Sequence, residues 1–251
     1  RRAEEIFEAL AVEDIRAAAD LLRPIYERTE GGDGYASLEI SPRLARQTEG
    51  TVAEARRLFA TIGRPNVMVN VPATPEAIPA IRRLVGAGVN VNVTLIFSLD
   101  VYRQVREAYL GGLEDYAASA GDLSTVASVA SFFVSRVDTA VDDLLERRIH
   151  DGREDLRDLL GRTAIANARL AYGEFRRAFG GQRFAALRSA GAHPQRLLWA
   201  STGTKNGSYS DVLYVEALIG SDTVNTVPEA TLTAFLDHGE ARQTAEDDLP
   251  G

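Results

Sequence analysis

The feature of this sequence that most constrains its fold is a regular alternation of helix and strand signals. The first predicted helix has apolar residues at helical spacing: Val12, Ile15, Ala19, Leu22 and Tyr26. The glycine-rich stretch 31–34 ends it. Strands are predicted at Tyr35–Ser41, Val67–Val71, Val89–Phe97, Thr125–Val134, Arg196–Ser201 and Thr223–Thr226. Further helices are predicted at Thr51–Thr61, Pro75–Val85, Leu99–Ala118, Thr139–Ile149, Asp155–Phe179, Asp211–Ile219 and Glu229–His238.

This alternation predicts a parallel sheet covered by helices. An open nucleotide-binding sheet would carry a glycine-rich loop after its first strand, and the stretch "SLEISPRLA" has none, which favours a (β/α)8 TIM barrel. A closed barrel needs two more strands than the chain shows, so two are expected upstream of Arg1. The barrel is predicted over residues 1–239, followed by a polar, frayed tail over 240–251.

The charge and composition narrow the classes of partner. A formal net charge of −8 argues against nucleic acid and acidic membrane surfaces, which both favour basic proteins. The absence of cysteine excludes disulfides, thiolate nucleophiles and Cys-ligated metals. No stretch approaches the roughly 18 apolar residues of a membrane span, so we expect a cytoplasmic protein, for which a homo-oligomer is one possible state. Lys205 is the only lysine in the chain.

Polar side chains share one face of the predicted strands. In "NVMVNVPAT" the valines occupy one face, so Asn70 lies on the other, which we expect to point into the barrel. Ser37 and Glu39, then Asn92 and Thr94, have the same parity on the neighbouring strands, towards their C-terminal ends. Enzymes with this fold place their sites at that end of the barrel. Further polar residues follow the later strands and complete the predicted site: Ser131, Arg136, Ser201 and Lys205.

Three long stretches resemble the transaldolase family. They read "VNVPATPEAIPAIRRLVGAGVNVNVTLIFS", "VASFFVSRVD" and "WASTGTKNGSYSDVLYVEALIGSDTVNTVPEATL", and the likeness runs from about Ala3 to about His238. The resemblance implies a class I aldolase-like TIM barrel that moves a dihydroxyacetone unit from a ketose phosphate to an aldose phosphate in the pentose phosphate pathway. It also implies sugar-phosphate substrates, no cofactor and a Schiff-base lysine on the fourth strand. By the motif, that lysine belongs at Asn70.

Asn70 therefore departs from the family at the residue that forms the Schiff base. The amide lone pair is delocalised, so asparagine can hydrogen-bond a sugar but cannot form an imine. One account is a transaldolase whose lysine was replaced, so that the rest of the site is intact and the chain is inactive or strongly impaired. A second is a natural sugar-phosphate binding or regulatory protein. A third, ranked lowest, moves the nucleophile to Lys205.

The resemblance also assigns roles to the other residues of the reacting end. Glu39 resembles a carboxylate that relays protons through an ordered water, and its alternative is a partner for a nearby arginine. Asn92 and Thr94 resemble the pair that binds a substrate hydroxyl and holds the catalytic water. An aspartate and an asparagine of the family's first two strands are expected upstream of Arg1.

The phosphate end is assigned to four residues by the same resemblance. Arg136 can hold two phosphate oxygens and Lys205 acts as a point charge, while Ser131 and Ser201 supply hydroxyls. The alternative for Arg136 is a buried ion pair with Asp138 or Asp142. No metal is expected, because the three histidines lack ligand spacing and are predicted to lie on the surface: His150, His193 and His238.

Overall fold

A computed structural model describes residues 3–247 and residue 249 of the chain. Within them the strands are β1 Ala36–Glu39, β2 Val67–Pro72, β3 Val91–Ile96, β4 Ser128–Phe133, β5 Arg196–Ala200 and β6 Thr223–Asn225. The helices are α1 Ala3–Arg28, α2 Thr48–Ile62, α3 Ala77–Val85, α4 Leu99–Ala118, α5 Ser135–His150, α6 Thr163–Phe179, α7 Gln182–Ser189, α8 Leu213–Ala217 and α9 Glu229–His238.

The strands form one parallel six-stranded sheet in the order of the sequence, β1 to β6. This order confirms the predicted α/β class and the consecutive strand–helix units, and it is consistent with a TIM barrel. The two strands expected upstream of Arg1 stay a prediction, because they would lie before the first residue of the given sequence.

The chain divides into two compact units, each built from three segments. Unit 1 comprises Arg1–Thr94, Arg103–Ala130 and Phe179–Gln195, and unit 2 comprises Leu95–Tyr102, Ser131–Ala178 and Arg196–Gly251. Because the segments alternate along the sequence, the units are interleaved rather than sequential. The prediction of one barrel domain over residues 1–239 is left as a prediction.

The core of unit 1 lies around β2. Val67, Val69 and Val71 have no exposed surface, and β-branched residues suit a buried strand. Both α2 and α3 pack against this strand. The buried residues of α3 recur at helical spacing, as expected for a helix with one apolar face: Ala77, Ala80, Ile81, Leu84 and Val85.

The core of unit 2 contains the only tryptophan of the chain. Trp199 on β5 is almost fully buried, and its indole N–H donates to the Leu218 carbonyl at 2.8 Å. The ring of Phe132 on β4 meets it edge to face at a centroid distance of 6.3 Å. These contacts fix the end of β5, where Ser201 begins the loop towards α8.

Two predictions made from the sequence are wrong in detail, and one helix was missed. The helix predicted over Asp155–Phe179 begins at Thr163, because 154–159 form a 3-10 helix and Gly161 adopts a left-handed φ of +70°. Helix α7 was not predicted at all. The tail is not frayed at Thr244 and Ala245, which are buried and donate their N–H groups to the Ile219 carbonyl, although Asp248, Pro250 and Gly251 of that predicted tail lie outside the described residues.

Candidate functional site

A row of polar residues crosses three neighbouring strands of unit 1. The register pairs Glu39 with Asn70, and Asn70 with Asn92. Neighbouring strands lie about 4.8 Å apart and paired residues point to the same face, so these three side chains stand side by side. Thr94 lies two residues further along β3, paired with Pro72, and shares that face. The structure thus brings together the four site residues that the sequence predicted in this unit.

The position of Asn92 along its strand differs from the expectation. It was predicted towards the C-terminal end, yet it is the second residue of β3, whereas Glu39 is the last residue of β1. The three residues are nevertheless level, because the strands are staggered with respect to one another. Stagger of this kind accompanies the tilt of strands in a barrel.

Asn70, which is half-buried, differs from the buried asparagines near these strands. Within the described residues, no hydrogen bond involves its side chain, and its Oδ1 is buried without a partner. The Oδ1 of Asn66 also lacks a partner, but its Nδ2 donates to the carbonyls of Ala19 and Gly34 at 2.7 and 2.9 Å. Buried amides are normally hydrogen-bonded, so Asn66 is explained by the fold and Asn70 is not.

The surroundings of Glu39 bear on its two interpretations. Its side chain is exposed, and no ion pair or hydrogen bond joins its carboxylate to another of the residues described. The alternative in which an arginine neutralises Glu39 is therefore not observed. Asn92 and Thr94 are 9% and 8% exposed, so the row runs from an open edge at β1 to a buried one at β3.

The remaining four predicted residues belong to unit 2. Ser131 is buried on β4, and Ser201 follows β5 with a left-handed φ of +58°, which is uncommon for a residue with a side chain. The Oγ of Ser201 lies 2.9 Å from the Oγ of Ser135, and its carbonyl accepts the Ser135 N–H at 3.0 Å. These bonds join the end of β5 to the first turn of α5.

Arg136 is the second residue of α5 and is exposed. Its guanidinium lies 4.9 Å from the ring centroid of Phe133, a cation–π contact that keeps the charge near the end of β4. The alternative of a buried ion pair with Asp138 or Asp142 is wrong. No such pair exists among the described residues, and both carboxylates accept hydrogen bonds from tyrosines instead.

Lys205 is exposed in the loop between β5 and α8. It lines a cavity of about 130 Å³. The cavity is also lined by acidic and polar residues of the same unit, including Asp138, Asp142, Asn206, Tyr209 and Tyr214. In the described part of the chain no hydrogen bond or ion pair joins Lys205 to the other predicted phosphate residues, Ser131, Arg136 and Ser201.

The sequence did not predict the pairing of two aspartates with two tyrosines in this cavity. The Tyr209 hydroxyl donates to Asp142 Oδ2 at 2.8 Å, and the Tyr214 hydroxyl donates to Asp138 Oδ2 at 2.9 Å. Burial raises the pKa of the Asp138 carboxyl and of the Tyr214 hydroxyl, and it raises the pKa of Tyr209 to about 12. The only signal in the sequence is that Asp138 and Asp142, four residues apart, share a helix face.

The described residues include no cluster of three His, Asp or Glu side chains that could hold a metal ion. Of the three histidines, His150 and His238 are exposed, while His193 is half-buried and its carbonyl accepts the Tyr109 hydroxyl at 2.8 Å. The surface prediction therefore holds for the first two only. The described helices are all too short or too polar to cross a membrane.

Known proteins similar to this chain share one family. The sequence profile of the Transaldolase/Fructose-6-phosphate aldolase family matches residues 1–250. Transaldolase 1 of Streptomyces avermitilis is 52% identical over 237 residues, covering 94% of this chain and 62% of the relative. The transaldolase of Thermobifida fusca is 54% identical over 236 residues (94% and 63%), and that of Saccharopolyspora erythraea is 55% identical over 233 residues (93% and 62%). The chain thus spans less than two thirds of these relatives' length.

Proposed function

This chain belongs to the transaldolase/fructose-6-phosphate aldolase family, and from this premise we propose that its site is built to transfer a dihydroxyacetone unit between ketose and aldose phosphates. The names of the relatives support this reaction. The observation that carries the proposal is the row of Glu39, Asn70 and Asn92 on one face of adjacent strands. Such a row offers a carboxylate and two amides to a sugar that carries hydroxyls and a carbonyl.

We assign the chemistry at the carbonyl to Asn70, Glu39 and Thr94. Glu39 is exposed and has no ion-pair partner among the described residues, so its carboxylate can exchange protons with a bound water. Thr94 and Asn92 orient that water and a substrate hydroxyl. Asn70 occupies the lysine position of the family and can only hydrogen-bond the carbonyl, so this chain binds its substrate without the covalent step.

Phosphate binding is assigned to residues of unit 2. Arg136 offers a planar guanidinium that matches two phosphate oxygens, and its exposure leaves it accessible. Lys205 adds a second positive charge, and Ser131 and Ser201 supply hydroxyl donors. Since these groups carry no role in the imine chemistry, the proposal predicts that phosphate binding survives the loss of the lysine.

A second candidate function is that of a non-catalytic binding or regulatory protein for sugar phosphates. The amide at Asn70 favours it, because binding needs no nucleophile. Relocation of the nucleophile to Lys205 has less support. That side chain is exposed in a cavity lined by three carboxylates, whereas burial or cationic neighbours activate a Schiff-base lysine.

Borohydride trapping with fructose 6-phosphate tests the proposal. The chain as given should gain no covalent adduct in its intact mass. Asn70→Lys, made in a chain that includes the two upstream strands, should gain an adduct at residue 70 and transfer dihydroxyacetone to erythrose 4-phosphate. An adduct at Lys205 in the unaltered chain would overturn the assignment, and a restored lysine that binds the sugar phosphate without any transfer would favour the binding protein.

A further inference from the structure

The loop that carries Lys205 has little regular structure of its own. Between the end of β5 and the start of α8, its internal side-chain bonds run from Thr204 Oγ1 to the Ser210 carbonyl at 2.8 Å, from the Ser208 N–H to Asn206 Oδ1 at 2.9 Å and from the Val212 N–H to Ser210 Oγ at 3.3 Å. These bonds fold the loop on itself but do not attach it to the rest of unit 2. The position of Lys205 therefore depends on contacts made by the two sides of the loop.

Many of those contacts come from one face of α5, while Thr202 and Asp211 on the two sides of the loop also bind Asn225 of β6 and His238 of α9. Ser135, Asp138 and Asp142 are buried and lie three and four residues apart, so they share one side of the helix. Ser135 binds the start of the loop at Ser201 through both its N–H and its hydroxyl. The two aspartates bind beyond the tip. The face thus holds the loop at both ends.

Each aspartate also binds a second segment. Asp142 Oδ1 accepts the Gly161 N–H at 3.1 Å, while its Oδ2 accepts the Tyr209 hydroxyl. Asp138 Oδ1 accepts the Ala164 N–H at 2.6 Å, while its Oδ2 accepts the Tyr214 hydroxyl. Both oxygens of each aspartate side chain are therefore engaged in hydrogen bonds.

Attaching a loop through two carboxylates on one buried helix face costs free energy. Burial and the neighbouring Asp142 both raise the pKa of Asp138, so the ionised form of Asp138 is disfavoured there. Apolar residues of similar size would stabilise the fold at lower cost, but they would not fix the direction of a hydroxyl. The directional bonds indicate that the exact placement of this loop matters.

We propose that Tyr209 and Tyr214, held by Asp142 and Asp138, are positioning residues that keep Lys205 in place for the phosphate group of the substrate. This inference rests on the proposed function for its ligand, but not for its geometry. Neither tyrosine touches the phosphate in this account. Each acts through the loop, and losing either bond lets the loop leave α5 and carry Lys205 with it.

The single lysine of the chain provides a direct assay of the loop. A lysine-specific protease can cut this chain only after Lys205, and the cleavage rate follows the population of the open loop when opening is fast. Tyr209→Phe removes one hydroxyl and should raise the cleavage rate about tenfold, the factor for losing about 1.4 kcal/mol. Tyr214→Phe should act in the same direction.

A matched control removes a tyrosine hydroxyl elsewhere. Tyr109 is fully buried in unit 1, and its hydroxyl donates a single bond to the His193 carbonyl at 2.8 Å. Tyr109→Phe should leave cleavage after Lys205 unchanged. Asp142→Asn is a conservative rescue, because its amide can accept the Gly161 N–H and donate to the Tyr209 oxygen. The protease should therefore cut this variant at close to the parental rate. Asp142→Ala should be cut as fast as Tyr209→Phe.

Measuring ligand affinity distinguishes the positioning of Lys205 from a general effect on the stability of the protein. Tyr209→Phe should weaken fructose 6-phosphate several-fold while sparing fructose, and Tyr109→Phe should change neither affinity. An unchanged cleavage rate in Tyr209→Phe would overturn the attachment of the loop, and faster cleavage with unaltered fructose 6-phosphate affinity would overturn its link to phosphate. If the parent protein binds no sugar phosphate, the proposed function is refuted. The protease assay needs no ligand, so it still decides whether the two tyrosines hold Lys205 in place.

Discussion

Truncating three asparagines of unit 1 separates residues that the fold requires from the one that the site requires. Asn66 and Asn90 lie just before β2 and β3, and Asn70 lies within β2. All three carry the same side chain in the same part of the molecule, but their hydrogen bonds differ. We expect Asn66→Ala and Asn90→Ala to destabilise the protein and Asn70→Ala to leave its stability nearly unchanged.

The hydrogen bonds of Asn90 give the largest expected loss. Its Nδ2 donates to the carbonyls of Pro65 and Val67 at 2.8 and 3.1 Å, and its Oδ1 accepts the Ala127 N–H at 2.9 Å. At a net value of about 1 kcal/mol for each bond, Asn90→Ala should cost about 3 kcal/mol, before any penalty for the buried backbone groups it leaves unpaired.

Asn66→Ala should lower the free energy of unfolding by less, and Asn70→Ala should hardly lower it. The two bonds of Asn66 to Ala19 and Gly34 predict a cost of about 2 kcal/mol. Asn70 has no side-chain hydrogen bond in the described residues, and removing its buried, unpartnered oxygen relieves a desolvation penalty of about 1–3 kcal/mol. This relief opposes the lost packing of the side chain, so Asn70→Ala should stay within about 1 kcal/mol of the parent.

Urea unfolding followed by circular dichroism measures these differences. The slope of the free energy of unfolding against urea should be the same in all four proteins, so that midpoints can be compared. A loss above about 2 kcal/mol in Asn70→Ala would place Asn70 with the structural asparagines and refute the argument from its missing hydrogen bonds. A negligible loss in Asn90→Ala would refute the value assigned to each bond.

Two further predictions concern charge. Arg136→Ala should weaken fructose 6-phosphate by about 1.5–3 kcal/mol and spare fructose in calorimetric titrations, because only the phosphate interacts with the guanidinium; equal losses for both ligands would argue against a phosphate site. The hydrogen bond from His238 to Asp211, with Nε2 and Oδ1 2.9 Å apart, raises the pKa of His238, so its stabilisation is complete below the ordinary value of 6.5 and disappears as the pH rises through the raised pKa. The parent's melting temperature should therefore fall more between pH 6.5 and 9 than that of His238→Gln, and identical pH profiles would contradict this reading.

The sequence predicted elements whose signals are local. Helices Leu99–Ala118 and Glu229–His238 have the predicted bounds because their apolar spacing spans several turns. Helix α7 escaped prediction since it has only eight residues and two buried apolar side chains, Phe184 and Leu187, after a pair of glycines. Its two buried apolar positions give a single i, i+3 spacing that does not repeat, so no helical period could be recognised in the sequence.

The need for a local pattern also explains which residues of the candidate site could be predicted from the sequence. Period-two alternation placed Glu39, Asn70 and Asn92 on one face, and the register confirms that they are neighbours. The tyrosines that bind Asp138 and Asp142 lie 76 and 67 residues away in sequence. No local pattern encodes such a pairing, because it depends on how helices and loops pack after the strands have formed.

The chemistry of position 70 is separable from the stability of its strand. Val67, Val69 and Val71 bury the opposite face of β2 completely, and the backbone of Asn70 still holds its register with Glu39 and Asn92. On the proposal that a lysine belongs at this position, exchanging its amine for an amide should therefore alter what can react without altering what can fold. Family membership follows from the fold-determining residues, whereas imine formation follows from a single nitrogen. We therefore expect the parent and Asn70→Lys proteins to unfold at similar urea concentrations and to bind phosphorylated sugars alike, and to differ only in whether borohydride captures the substrate.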